Sequence, residues 1–462
     1  MRTKRRSAVS NRVAVWFIAA ISFCVCALTV SLVILSWGRK DKNFIDDVLQ
    51  EMKSKTDQGS DPKYHTVFST DCGRFQKWQS YLLFYSAFKV KQQGTITRIA
   101  SGCTLDEVEA EKEFHADIAQ HMSSNFKVHF TPDFSVVKDK NGEDTGDRYV
   151  YFNKPFGLLH WMEHGDDDIK EDDIIILVDS DQVLTRPITN DFSEKMEHLL
   201  VGDNPKRIVT HGSPFAQLFG IGDKWLHLDL NKVTGTNNSP AKNVNSEDAM
   251  LYYPAGPPYL ATARDMHKIA QTWSDFVPRS YVEHPDLMAE MYAFCIAAAH
   301  LNLPHQIVKS LMVSDIYSGD GAEGWKLIDE IDNENICSAN VMVDHTLPSV
   351  LHYCQSYRLG EENVFAKRKI PVDIFSCEAP LLEMPPPDVA QLHDYYISAE
   401  GVKEEVSSRE AKQLAFMICS LTRITNEAAM FHQKKNCDSA KDVRFAMNLW
   451  SKKRVMLEAE MK

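Results

Sequence analysis

Ile174-Ile175-Ile176-Leu177-Val178-Asp179-Ser180-Asp181-Gln182-Val183-Leu184 sets the reading of the whole chain. Its run of large aliphatic residues, entered from the polar stretch Gly165 to Asp173, predicts a strand buried on both faces of a largely parallel sheet. In extended backbone the side chains of Asp179 and Asp181 point the same way, so both can reach one ligand at the strand's carboxyl end. Open α/β sheets bind ligands at that end. Two carboxylates without a neighbouring base repel one another unless a cation lies between them. Hard oxygen donors suit Mn²⁺ or Mg²⁺, ions whose coordination is commonly completed by substrate phosphates. The stretch therefore reads as a metal–diphosphate site, against the plainer alternative of two acids in a solvated turn.

The chain has 462 residues, enough for one large or two ordinary domains with accessories. Its net charge is −13, and Arg2, Lys4, Arg5, Arg6 and Arg12 contribute +5, so residues 13–462 carry −18. A body that acidic argues against nucleic acid as a partner. Residues 13–37 carry no charged side chain and are long enough to span a bilayer. Five bases precede this span and Arg39, Lys40 and Lys42 follow it, which favours a cytoplasmic tail (1–12) and a lumenal body. Eight cysteines lie outside the span, an even number compatible with disulfides, and no Cys-x-x-Cys pair suggests structural zinc. Asn237-Asn238-Ser239 is a glycosylation sequon, usable only in a lumenal body.

Residues 38–63 read as a stem, and the catalytic domain is expected over 64–387. Strands are expected at Tyr64–Thr70, Thr95–Ala100, Lys127–Phe130 and the Asp179 stretch. They alternate with helices from Phe75 to Val90, from Leu105 to about Met122, and from Lys154 to His164. That alternation predicts right-handed βαβ units and a Rossmann-like half. No Gly-rich dinucleotide fingerprint and no Walker loop occurs. A strand at Pro258–Thr262, helices Asp265–Phe276 and Pro285–Leu301, and a short strand Ser349–Tyr353 follow. Pro385, Pro386 and Pro387 close the domain, and 388–462 reads as a helical, charged extension.

Beyond the two aspartates, His352 is a candidate to complete the coordination of a divalent ion as a neutral imidazole. Lys367 and Lys369 are candidates to neutralise a diphosphate. Glu290, among Met288, Met291 and Tyr292, is a further candidate, because a carboxylate facing inward there would need a hydroxyl or cationic partner. Each has a plainer structural reading. The acidic run Asp166 to Asp173 lacks the spacing of a calcium loop and is expected to be a solvated loop.

Several segments occur together in one order: His65-Thr-Val-Phe-Ser, Phe75-Gln-Lys-Trp-Gln79, Gly94-Thr-Ile-Thr-Arg98, Asn153-Lys-Pro155 with His160-Trp161, Ile176 to Asp181, Glu290-Met-Tyr-Ala293 and Leu351-His-Tyr353. Over about His65 to Ala390 they resemble the plant and algal hydroxyproline O-arabinosyltransferases and, equally, the related peptidyl-serine α-galactosyltransferases. The resemblance implies a GT-A fold and a single-pass type II anchor in the Golgi or endoplasmic reticulum membrane. It also implies a UDP-sugar donor, a divalent metal, usually Mn²⁺ (or Mg²⁺), and retaining transfer to a hydroxyl of a hydroxyproline- or serine-containing secreted protein. On that expectation Asp181 and His352 hold the metal, Asp179 shares it or contacts the ribose, and Glu290 orients acceptor or sugar. Asp179-Ser-Asp181 resembles the galactosyltransferase motif, since the arabinosyltransferases often begin it with Glu, whereas Pro385-Pro-Pro-Asp-Val389 resembles the arabinosyltransferases. The favoured donor is UDP-L-arabinofuranose and the alternative UDP-galactose. A reading of another class is a lumenal protein that binds a nucleotide sugar or glycopeptide without turnover.

Overall fold

A computed structural model describes residues 62–139, 141–193, 199–317, 323–398, 400–437, 445–452 and 454–456. The expected cytoplasmic tail, membrane span and nearly all of the stem lie outside the described residues. Among the described residues no helix is long and apolar enough to cross a membrane.

Seven strands build the central sheet: β1 (Tyr64–Thr70), β2 (Thr95–Ser101), β3 (Phe126–Thr131), β4 (Ile174–Asp179), β6 (Phe215–Leu218), β7 (Ala255–Thr262) and β8 (Gln306–Val308). Their spatial order is β8-β6-β7-β4-β1-β2-β3. β3, β2, β1 and β4 run parallel, and β7 alone is reversed, pairing antiparallel with both β4 and β6. The expected α/β sheet is therefore present but mixed. The four-residue β6 and three-residue β8 were not anticipated, because so few residues carry no readable period. From β1 the chain steps outward to β2 and β3, then returns to place β4 on the other side of β1. That reversal opens a crevice at the carboxyl ends of β1 and β4, where Ser69 pairs with Asp179.

β4 explains why the sheet is buried on both sides. Ile174, Ile176 and Val178 face one core with Phe68, Ile96 and helix α1 (Arg74–Val90). Ile175 and Leu177 face a second core with helices α3 (Asn153–His164), α4 (Ala263–Glu283) and α5 (Ala289–His300). All five are at most 1% exposed. Each contributes roughly 1.5–3 kcal/mol of burial, an upper estimate for a chain already partly collapsed when unfolded.

α2 (Leu105–Phe114) starts at a capping box between Thr104 and Glu107 and is shorter than expected. At His115 the backbone widens into a π-turn, His115–Ala119, where the His115 ring donates to the Phe126 carbonyl at 2.9 Å. The acidic run is also less solvated than expected. Asp173 is 3% exposed, lies 3.2 Å from His65 Nε2 and accepts from the backbone N–H groups of Lys63 and Lys170. Asp167 pairs with Lys127.

A second, three-stranded sheet joins β5 (Gln182–Leu184) antiparallel to β10 (Val350–His352), which runs parallel to β9 (Met312–Val313). The hairpin β11 (Ser356–Leu359)–β12 (Asn363–Ala366) follows at once. Helix α6 (Ser408–Asn436), expected as part of a helical extension, lies in the same core as α1 and β4. Disulfides Cys337–Cys419 and Cys377–Cys437 hold it there, and Cys72–Cys103 links the segments that follow β1 and β2. Cys295 and Cys354 are free.

Candidate metal and donor site

The site forms where β4 ends. Asp179 is the last residue of that strand, and its backbone N–H donates to Gln182 Oε1 at 3.2 Å, closing a tight turn through Ser180 and Asp181. β5 leaves the turn and pairs with β10 so that Gln182 opposes His352. One step further, the Tyr353 N–H donates to the Asp181 carbonyl at 3.0 Å. Backbone register thus places the imidazole beside the carboxylate, with His352 Nε2 3.1 Å from Asp181 Oδ1. The Tyr357 hydroxyl donates to the His352 carbonyl at 2.7 Å and braces the strand end.

Asp179, Asp181 and His352 each offer a ligand atom, and these three atoms lie within 4.8 Å of one another. Two carboxylate oxygens and one imidazole nitrogen, the last on a residue only 6% exposed, form a donor set that fits Mn²⁺ or Mg²⁺ with positions left for phosphate oxygens. The cluster Cys377, His432 and Cys437 has similar spacing, but its two sulfurs are joined to each other.

Two lysines enter the same space. β12 runs straight into Lys367, whose ammonium lies 2.5 Å from Asp181 Oδ2. Lys154, in the first turn of α3, lies 2.8 Å from Asp179 Oδ1 and 3.3 Å from Glu290 Oε1. Burial alone would raise the Asp181 pKa, but the charges of His352 and Lys367 outweigh it and hold that carboxyl well below the usual range. For Lys154, burial works against the ammonium, and Asp179 and Glu290 more than offset it.

Glu290 is 3% exposed in the first turn of α5, where an acid is favoured by the helix dipole. Its backbone is fixed from both sides: its N–H donates to the Tyr149 hydroxyl at 3.1 Å, and Trp273 Nε1 donates to its carbonyl at 2.9 Å. Burial first, and Asp179 further, raise its pKa against the opposing pull of Lys154. Its Oε1 has no hydrogen bond of good geometry, so the Lys154 contact is an ion pair in distance only.

The structure therefore brings together Asp179, Asp181, His352, Lys367 and Glu290, five of the six candidates singled out in the sequence. Lys369 is not with them: its ammonium stands 4.1 Å over the Trp450 ring. Lys154 was missed. It lay inside the Asn153-Lys-Pro155 segment, but a lysine opening a helix looks like an ordinary surface base until the fold buries it.

Residues 64–201 match the Hydroxyproline O-arabinosyltransferase family N-terminal domain. Over that segment the chain is similar to the hydroxyproline O-arabinosyltransferases, and curated relatives match it more widely. Its relatives include a peptidyl serine alpha-galactosyltransferase of Arabidopsis thaliana, 28% identical over 277 residues that make up 58% of this chain and 30% of the relative. Another is hydroxyproline O-arabinosyltransferase RDN2 of Medicago truncatula, 23% identical over 292 residues, 60% of this chain and 68% of the relative. The chain spans about a third of the length of the galactosyltransferases it matches. Among solved structures, galactosyltransferase LgtC with donor and acceptor sugar analogues matches at 11% identity and a TM-score of 0.33, covering 63% of this chain and 87% of that one. The matched segment ends at residue 201: it contains Lys154, Asp179 and Asp181, while Glu290, His352 and Lys367 lie beyond it.

Proposed function

We propose that this hydroxyproline O-arabinosyltransferase-like chain is a metal-dependent glycosyltransferase that moves a sugar from a UDP-sugar to a hydroxyl of a secreted protein. The observation that carries this reading is the meeting of Asp179, Asp181 and His352 from sequence-distant segments at the carboxyl end of β4. A divalent ion bound there supplies Lewis acidity to the leaving diphosphate. The chain's own residues do the rest. Lys367 offers a second positive contact to the phosphates, and α5 presents Glu290, held by its backbone, toward the sugar. Retaining transfer, as the family resemblance implies, leaves the departing phosphate free to take the acceptor proton, so no protein carboxylate is required as base.

Hydroxyproline arabinosylation from UDP-L-arabinofuranose is the first reading for donor and acceptor. Serine galactosylation from UDP-galactose is the second, supported by the 28% identity to the Arabidopsis galactosyltransferase and by an aspartate at position 179. Three disulfides among the described residues support an oxidising compartment, which agrees with a Golgi or endoplasmic reticulum lumen and a membrane anchor at 13–37.

The experiment is to incubate the purified chain with Mn²⁺, a hydroxyproline-rich or serine-rich peptide, and each of a panel of UDP-pentoses and UDP-hexoses, measuring UDP release and peptide mass. Metal-dependent UDP binding with no glycosylated peptide from any donor would favour the non-catalytic binding protein instead.

A further inference from the structure

The two carboxylates that suit a metal already hold cations of the chain's own. Asp179 is paired with Lys154, and Asp181 with Lys367 and His352. Three carboxylates (Asp179, Asp181 and Glu290) face two ammoniums and one imidazole, in a space where Lys154 and Asp179 are 14% and 21% exposed. Charges so poorly solvated interact strongly and are costly to leave unmatched. A divalent ion arriving alone would compete with Lys154 for Asp179 and add two positive charges to a site already close to balance. The same ion arriving with a nucleoside diphosphate brings its own negative charge and gives the displaced ammonium an anion to join.

We propose that Lys154 is a resident counter-ion for Asp179, which it surrenders to the metal and exchanges for a diphosphate oxygen of the donor while Glu290 keeps it tethered. This rests on the metal–diphosphate reading above and goes beyond it by assigning a residue and a binding order. Glu290 suits the tether because its backbone is locked at both ends, and its Oε1 has an unfilled hydrogen-bonding position beside the ammonium. Lysine suits the exchange because its ammonium is a point charge on a flexible stem with three donors, able to swing between acceptors without the planar geometry that arginine demands. The consequence is coupling: metal and nucleotide each bind weakly alone and tightly together, by the same factor in both directions.

The test is a set of binding measurements on the full chain, with free Mn²⁺ followed by electron paramagnetic resonance, with and without UDP. In the wild type, UDP should tighten Mn²⁺ binding by about 10-fold or more. Lys154→Gln should bind Mn²⁺ alone several-fold more tightly than the wild type, because the competing cation is gone, and should lose most of the UDP effect. Glu290→Gln should shift Mn²⁺ alone the opposite way, since Lys154 then leans on Asp179 undivided; that variant keeps the proposal testable if Lys154→Gln does not fold. A merely structural Lys154 would weaken both kinds of binding together. Wild-type uptake of Mn²⁺ with UDP, combined with Lys154→Gln no tighter for Mn²⁺ alone or Glu290→Gln tighter, overturns this proposal and leaves the site reading intact. A wild-type chain that takes up no Mn²⁺ even with UDP overturns both.

Discussion

His352 and Asp181 stand 171 positions apart in the chain and 3.1 Å apart in space, because the antiparallel pairing of β5 with β10 sets Gln182 opposite His352. The carboxylate at the centre of this contact also holds Lys367. Asp181→Asn keeps the shape and removes the charge. Transfer should fall by roughly 10²–10³-fold, the usual effect of losing one preorganised electrostatic partner. Mn²⁺ binding should fall with it, while far-ultraviolet circular dichroism stays native. A purified, folded variant with near-normal turnover would remove the metal assignment.

Lys367 and Lys369 look alike in the sequence and differ in place. Lys367 lies against Asp181, whereas Lys369 covers Trp450. Lys367→Met should raise the KM for the UDP-sugar by about 10-fold, as expected when a charge-assisted contact of roughly 1.5 kcal/mol is lost. Lys369→Met should leave that KM unchanged. Equal effects from the two substitutions would show that the phosphate contact has been wrongly placed.

Acid should destabilise the fold through His305. This ring is 2% exposed, its Nδ1 has no hydrogen-bond partner, and burial lowers its pKa to about 3. The unfolded histidine titrates near 6.5. Between the two values the unfolded chain binds a proton that the folded chain refuses, so stability declines as pH falls from about 6.5 toward 3. The slope is on the order of 1 kcal/mol per pH unit. Urea midpoints at pH 7 and pH 5 should converge in His305→Leu relative to wild type. Identical pH slopes in the two proteins would contradict this.

The Cys337–Cys419 bond anchors α6 across 82 residues of chain. Replacing both cysteines by serine should lower stability by roughly 2–5 kcal/mol, seen as a lower thermal midpoint in oxidising buffer. The same midpoint should respond to reductant in the wild type and not in the double variant, provided the other two bonds stay intact. No difference between the proteins would mean that the bond is not formed.

Much of this arrangement was legible in the sequence because it is local. β1, α1, β2 and β4 each carry a full period of buried residues, and their bounds match expectation to within a residue or so. Asp179 and Asp181 were readable because one strand presents both. His352 and Lys367 were readable by residue type alone; their meeting with Asp181 depends on a three-residue strand pair whose register no pattern announces. Lys154 and Glu290 show the opposite case. Their significance comes from burial, which is set by α3 and α5 packing onto the sheet and leaves no mark on the residues themselves. β6 and β8 escaped notice for want of length.

The pairing of β5 with β10 also limits how the chain can be divided. A fragment cut at residues 64–201 would keep both aspartates but lose the strand that holds His352, the hairpin that delivers Lys367, and three of the seven sheet strands, including the one that covers the open edge of β4. Such a piece would expose a hydrophobic ribbon edge and carry half a ligand shell. Conserving the signature segment in some other protein would therefore be no guarantee of competence, which belongs to the C-terminal half as much as to the N-terminal one.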